Sequence, residues 1–392
     1  AQGFGGNIVH LSHQSMERTA SNEPDAKRQL TDGLVAPVPG FRAAIWGLND
    51  PARRRAVVDE LRGLCSNNGV DLHVVSEKCN LMFPILGNMT ALESMTVEDK
   101  EVAATELKEI SKTCDAWLGW PQVSWDRVLA VTGGWPEKLR FIQTYGAGVD
   151  KLAAASLPGH IVVARAEGKY DARIAEWVIA WVFMHAKQMP AFIAQQKERK
   201  WIKIFQPQMV AGSRMLIVGY GSIGHHVAAK GISLGMIVAG IKQSVDAAIA
   251  EGEVQIHPSA DLHKLLPEQD FVVLCLPLTD ATRNCFGVKE LTLMKPTAAL
   301  INIARGELVD WSAVCTALKE HALAAFYTDV TVPEPLPDGH ADWDVPNLHI
   351  TPHNSFCPMP SGCVDAKLFF NNVQRLRSGE AVKGQVDFDR GY

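Results

Sequence analysis

Nowhere does the chain carry an apolar run near the ~20 residues that a membrane span requires. The nearest stretch, "VIAWVFM" at 178–184, is bounded by Glu176, His185 and Lys187, so no spanning helix and no membrane partner are expected. Cysteine is sparse and unpaired in pattern: eight residues, at 65, 79, 114, 275, 285, 315, 357 and 363, contain no Cys-x-x-Cys. That spacing excludes a dense disulfide framework and points to reduced, buried thiols, hence a reducing compartment such as the cytoplasm. No metal site is expected. A positive excess is missing as well, since 38 Lys and Arg face 43 Asp and Glu for a net charge of -5. Nucleic acid and anionic membranes, which favour basic surfaces, are thereby disfavoured as main partners. Internal repeats and low-complexity tracts are absent. What remains is an ordinary globular composition, 47% hydrophobic and 21% charged over 392 residues, long enough for about two domains. A small-molecule ligand is the default expectation.

Residues 1–40 are polar with little periodicity and read as a loose arm. The sequence opens on Ala1 rather than Met; an organelle matrix, after removal of a targeting peptide, therefore stands beside the cytoplasm as an expected location. After "APVPG" the pattern turns regular. "FRAAIWGL", "DLHVVS", "CDAWLGW" and "LRFIQTYG" read as strands and 51–68 as a helix, an alternation that implies a parallel sheet with crossover helices. Residues 172–189, "ARIAEWVIAWVFMHAKQM", are apolar on most sides and are expected to form a buried helix between domains. From 214 the alternation restarts with the strands "RMLIVG", "MIVAGI", "FVVLCLP", "AALINIA", "LAAFYTDV" and "NLHIT". Helices are expected from Ser222 to about Leu234, at "ADLHKLLPEQ", at "WSAVCTALKEH" and over 362–378. Strands apolar along their whole length are buried on both faces, as in a doubly wound sheet.

"LIVGYGSIG" is a GxGxxG motif, with Gly219, Gly221 and Gly224 directly after a strand and opening a helix. The first glycine permits a tight turn, the second lets backbone approach a pyrophosphate, and the third allows close helix packing, while the helix amino terminus favours the anion. An acidic residue that accepts from the adenosine ribose is usual about 20 residues further on. Here the second strand ends in "GIKQS" with Lys242 at that place. The missing carboxylate removes repulsion against a 2'-phosphate, and Lys242, Gln243 and Ser244 are all donors, so NADP(H) is expected ahead of NAD(H). Three further motifs follow strands of the same half: "INIARGELVD" with Arg305, "YTDVTVPEPLP" with Asp329 and Glu334, and "TPHNS" with His353. Each alone reads as an ordinary loop residue. Together, behind a nucleotide motif, they can meet above the carboxyl edge of one sheet.

With "FIQTYGAGVD", "ARIAEWV", "GYGSIG", "VVLCLPLTDATRN", "NIARGELVD", "TDVTVPEPLP" and "NLHITPH" in this order, the chain resembles the D-isomer-specific 2-hydroxyacid dehydrogenases over nearly everything after residue 40. "MPAFIAQQKERKW", "YGAGVD" and Lys242 are similar to the glyoxylate and hydroxypyruvate reductase branch. Formate dehydrogenases share the fold but carry Gln where Glu334 stands. The resemblance implies two Rossmann-like doubly wound domains with a cleft between them. One, flavodoxin-like and substrate-binding, comprises 1–163 and 355–392; the other, 164–354, binds the cofactor, and homodimerisation runs through it. It also implies roles. Arg305 would bind the substrate carboxylate and polarise the keto oxygen, His353 would donate the proton, and Glu334 would hold the imidazole and favour its protonated form. Backbone N–H groups of Ala147 and Gly148 would take the substrate carboxylate from the other domain, with Trp120 on the substrate wall. Cofactor contacts would come from Gly219, Tyr220, Gly221, Ser222, Ile223, Gly224, Leu276, Pro277, Thr282, Ile303, Ala304, Arg305, Asp329 and His353, with Asp329 accepting from the nicotinamide carboxamide. The expected activity is NADPH-preferring reduction of a small 2-oxo acid to the D-2-hydroxy acid. The alternative is a cofactor-sensing, corepressor-like binding protein of the same fold. Trp117, Trp120 and Tyr145 are open to two readings, pocket wall or core.

Overall fold

The computed structural model describes residues 41–45, 51–77, 94–119, 125–168, 170–204, 207–356 and 363–390. Trp120 and the expected arm 1–40 lie outside them. Among the described residues no helix is long and apolar enough to cross a membrane.

Two sheets organise the chain. The first joins β1 (Phe41–Ile45), β2 (Val70–Val74), β3 (Ala116–Gly119), β4 (Phe141–Thr144) and β5 (Val162–Ala164) in the order β2-β1-β3-β4-β5, with every described pairing parallel. This is a flavodoxin-like strand order. Alternate residues feed opposite faces: Ala44, Trp117 and Ile142 enter one apolar cluster, while Phe41, Ala116 and Phe141 enter another. The second cluster is completed by the helix Cys363–Arg377, whose Ala366, Phe369 and Val373 pack against Leu61 of the helix Pro51–Ser66. Trp117 and Tyr145 are fully buried in these clusters. They belong to the core and not to a pocket wall.

The second sheet contains β6 (Arg214–Val218), β7 (Ile237–Ile241), β8 (Ile249–Glu251), β9 (Val254–His257), β10 (Phe271–Leu274), β11 (Ala299–Asn302), β12 (Ala325–Thr328) and β13 (Leu348–Ile350). Its order is β13-β12-β11-β10-β6-β7-β9-β8, and only the β8–β9 edge hairpin is antiparallel. The order reverses between β6 and β10, which is the topological switch point where ligands bind in such sheets. Strands β10, β11 and β12 are buried at every residue, as their apolar sequences require when helices cover both faces.

The helix Asp171–Ala186 departs from the expectation of burial on most sides. Its buried stripe runs through Ile174, Val178, Val182, His185 and Ala186, while Phe183 is exposed. An apolar composition on most sides does not determine which face the sheet covers. His185 is a buried polar member of this layer, with Nδ1 3.2 Å from the Tyr327 hydroxyl and Nε2 3.3 Å from the Thr297 carbonyl oxygen. Burial lowers its pKa, partly opposed by the Thr297 carbonyl, so the ring is held neutral. "ADLHKLLPEQ" also differs from one continuous helix. Pro267 has no backbone N–H to give, and the segment breaks into 3-10 turns at Ser259–Asp261 and Leu266–Glu268 around a short helix, Leu262–Leu265. Several elements had no expectation attached, among them the helices Val97–Thr113, Trp125–Thr132, Met189–Lys197 and Val288–Leu293, the strand β5 and the β8–β9 hairpin.

Candidate active site

Register sets the site. Ile241, Val218, Leu274, Asn302, Thr328 and Ile350 are the last residues of β7, β6, β10, β11, β12 and β13, and they are paired side by side across the sheet. Six parallel strands therefore end level, and every segment that follows them leaves on the same rim. Lys242, Gly219, Leu276, Arg305, Asp329 and His353 all lie within three residues of those strand ends.

The glycine loop turns sharply after β6. Gly219 has φ +101°, and a side-chain carbon on it would stand 2.6 Å from the Cys275 carbonyl carbon; only glycine fits that approach. Gly219 and Tyr220 donate their backbone N–H groups to the Ile241 carbonyl at 3.0 and 2.8 Å. Gly221 caps the helix Ser222–Ser233 without a side-chain hydrogen bond, and nothing lies within 4 Å of where its side chain would be. Its first turn, which includes Ile223 and Gly224, thus presents backbone donors beside open space, as a phosphate site needs. The Ser222 hydroxyl donates to the carboxylate of Asp171, a buried residue at the start of the helix Asp171–Ala186. Tyr220 packs its ring 4.2 Å from that of His225, which reaches Glu251 at 2.7 Å. Lys242 is half-buried and makes no ion pair among the described residues, and Gln243 and Ser244 are exposed. Across the switch point, the Thr282 hydroxyl donates to the Pro277 carbonyl at 2.7 Å and accepts from the Thr279 N–H at 2.8 Å, fixing the turn that follows half-buried Leu276.

Arg305 is aimed by Asn302, a fully buried amide at the end of an apolar strand. Its Oδ1 accepts from the Ala304 N–H at 3.0 Å, and its Nδ2 donates to the Arg305 carbonyl at 2.8 Å, so the turn after buried Ile303 is held at both ends. The guanidinium then reaches the other sheet. Nε and Nη2 donate to Asp150 Oδ1 at 2.9 and 2.7 Å, and Nη1 donates to the Ala304 carbonyl at 2.7 Å. Asp150 opens a short helix just past Ala147 and Gly148, the expected carboxylate loop. Burial alone would raise the Asp150 pKa, but the charge and hydrogen bonds of Arg305 outweigh it and hold the carboxyl below its ordinary value.

His353 and Glu334 meet directly. Imidazole Nδ1 lies 2.6 Å from Glu334 Oε1, with the two side chains 22% and 24% exposed. With Nδ1 committed to the carboxylate, Nε2 is the ring nitrogen left to exchange a proton. His353 adopts φ +49°, an uncommon backbone for a residue with a side chain. Asp329 fixes it there. Its carboxylate, almost wholly buried, accepts from the Thr351 hydroxyl and the N–H groups of Asn354 and Ser355 at 2.5, 2.7 and 2.8 Å, while its carbonyl takes the His353 N–H at 2.8 Å.

The geometry thus joins His353 to Glu334 and brings Arg305 against the Gly148 loop. Four site features had no role in the sequence reading: Asp150, Asp171, Asn302 and the His225–Glu251 pair. Asn302 carried a signal, a lone polar residue closing an apolar strand, and Asp150 stood in plain view within "GAGVD".

Residues 179–355, which contain the glycine loop and all of Arg305, Asp329, Glu334 and His353, match the family model described as D-isomer specific 2-hydroxyacid dehydrogenase, NAD binding domain. A glycerate dehydrogenase of Methylorubrum extorquens is 31% identical over 252 residues, covering 62% of this chain and 77% of the relative. The chain belongs to the D-isomer-specific 2-hydroxyacid dehydrogenase family. A glyoxylate reductase of Korarchaeum cryptofilum is 30% identical over 256 residues, 64% of this chain and 76% of that one. Among solved structures, a family member from Xanthobacter autotrophicus, determined with NADPH and MES, superposes with a TM-score of 0.72 at 25% identity, covering 90% of this chain and 100% of its own. The protein is accordingly an NAD(P)-dependent dehydrogenase of this family, near its glyoxylate/hydroxypyruvate reductase branch. The open, uncapped helix terminus at Gly221 fits the dinucleotide that the family binds.

Proposed function

We propose that this dehydrogenase reduces a small 2-oxo acid, of the glyoxylate or hydroxypyruvate kind, to the D-2-hydroxy acid, and that it prefers NADPH. The observation that carries the reading is the His353–Glu334 pair standing on the same strand-end rim as Arg305 and the glycine loop. The bound nicotinamide supplies the hydride. The chain supplies the rest: Arg305 holds the substrate carboxylate and polarises the keto oxygen, aided by N–H groups of Ala147 and Gly148, and His353 Nε2 delivers the proton to that oxygen. Glu334 keeps the imidazole oriented through Nδ1. Three of the roughly four acceptor positions of the Asp329 carboxylate serve the His353 loop, leaving one for the nicotinamide carboxamide.

Lys242 supports NADPH. It directly follows β7, level with the glycine loop, half-buried and without an acidic partner among the described residues, and the Xanthobacter relative was solved with NADPH. The two sheets support a division into a substrate domain, 1–163 with 355–392, and a cofactor domain, 164–354. Phe183, Met189, Ile193, Trp201 and Ile202 expose apolar surface along one stretch of the cofactor half, which supports homodimerisation through it. Free thiols at Cys65, Cys114, Cys275, Cys285 and Cys315 support a reducing, cytoplasm-like compartment.

Glyoxylate, hydroxypyruvate, phenylpyruvate and branched 2-oxo acids assayed against NADPH and NADH test the proposal, since a cofactor sensor would bind NADPH without turnover. The kcat/KM ratio for NADPH over NADH should be about 10 to 100, as one flexible ammonium allows, and Lys242→Asp should collapse it. A wild-type ratio below one, or one unmoved by the substitution, would show that the phosphate is not read at Lys242.

A further inference from the structure

The guanidinium assigned above to substrate already carries a carboxylate. Asp150 Oδ1 takes both N–H groups of the Nε–Nη2 edge, at 2.9 and 2.7 Å. The side chains are only 15% and 23% exposed, so solvent and salt screen the pair little. Nη1 gives another hydrogen to the Ala304 carbonyl. Of the guanidinium's five N–H groups, the two left over are one each on Nη1 and Nη2, and that end of the group lies on Gly148. A side-chain carbon at Gly148 would come within 2.6 Å of the guanidinium carbon and 3.1 Å of Nη1. Arg305 thus lies against Gly148, in the loop expected to share the substrate carboxylate.

Two carboxylates cannot both use the same edge of one guanidinium, and a second negative charge beside Asp150 is repelled. Asp150 is held ionised by Arg305, so substrate cannot open the contact by waiting for a protonation event. It must compete. We infer that Asp150 is a resident counter-ion that the substrate carboxylate displaces from Arg305, and that the strength of the Asp150–Arg305 pair sets the enzyme's affinity for its 2-oxo acid. Asp150 acts through Arg305 and is a positioning residue. The inference rests on Arg305 holding the substrate carboxylate.

A simple strut would behave oppositely. If Asp150 only braced the guanidinium in a productive pose, removing its charge would raise KM and lower kcat together. A displaced competitor makes substrate bind more tightly when its charge is lost. The test uses the enzyme with saturating NADPH, with KM for glyoxylate and Kd for oxamate, an unreactive carboxylate of similar size, measured in wild type, Asp150→Asn, Arg305→Ala and the double variant. Asp150→Asn should lower both constants about 10-fold. Asp150→Ser should shift them in the same direction, so the result does not hang on the folding of one variant. In the Arg305→Ala background, Asp150→Asn should produce no tightening, because the competition has lost its object. Unchanged or raised constants in both single Asp150 variants overturn the inference while leaving Arg305 in the site. A wild-type KM in Arg305→Ala instead overturns the assignment of Arg305, and tightening that persists in the double variant shows that Asp150 meets the substrate directly.

Discussion

His353 and Arg305 follow strands of one sheet, separated by β12, yet they are held in different ways. The imidazole is fixed wholly within its own half: Glu334 takes Nδ1, and Asp329 ties down the backbone on either side. The guanidinium is fixed across the molecule, to Asp150 beside the other sheet. The proposed proton donor is therefore held without a contact from the other sheet, whereas the proposed carboxylate-binding group is oriented in part by one.

The largest expected effect comes from removing the local member. His353→Ala should lower kcat about 100-fold or more, the usual worth of general acid catalysis, and leave NADPH affinity near wild type; fluorescence titration and steady-state kinetics check both. Retained turnover would dissolve the comparison, because the imidazole would then have no chemical task. Asp329→Ala should come next. It leaves the Thr351 hydroxyl and two backbone N–H groups without their acceptor, at about 1 to 3 kcal/mol for each buried donor. Denaturant unfolding should register that loss, and kcat should fall more than KM for the 2-oxo acid rises, since the loop that loosens carries the donor. An equal change in both constants would mean that the His353 loop also shapes substrate binding.

The smallest effect lies away from the rim. His185 is buried neutral, with its pKa lowered chiefly by desolvation. The unfolded chain therefore takes up the proton first as pH falls below about 6.5, so stability is fully present above that pH and declines below it. Thermal unfolding between pH 7 and pH 5 should show this decline in the wild type and a shallower one in His185→Phe. Parallel slopes would remove His185 from the acid response.

The rim itself was legible because each of its parts has a local signature. Gly219, Gly221 and Gly224 are readable from steric need, and Arg305, Glu334 and His353 from polar residues placed after apolar strands. Partners that depend on tertiary approach were not. Nothing in "GAGVD" says that Asp150 crosses to a residue 155 positions later, and nothing in "KYDARIAEW" ties Asp171 to Ser222. The exposed side of the helix Asp171–Ala186 was missed for a related reason. Ala180 and Phe183 lie on its outer side beside Glu176, so overall apolarity does not by itself mark how much of the helix is buried. Trp117 and Tyr145 show the same limit from within, since an aromatic residue beside a cleft motif and one in a core have identical sequence signatures.

The helix Cys363–Arg377 packs on a sheet whose last strand ends at Ala164, which has a consequence for the order of synthesis. Roughly 200 residues separate the two, so at about 5 to 20 residues per second the ribosome works for some 10 to 40 s after completing the first sheet before that helix exists. During that interval the face carrying Phe41 and Phe141 is covered by the helix Pro51–Ser66 but lacks its second helix, while the second sheet, built from one uninterrupted stretch, can already close. The half that begins first is thus the half that finishes last.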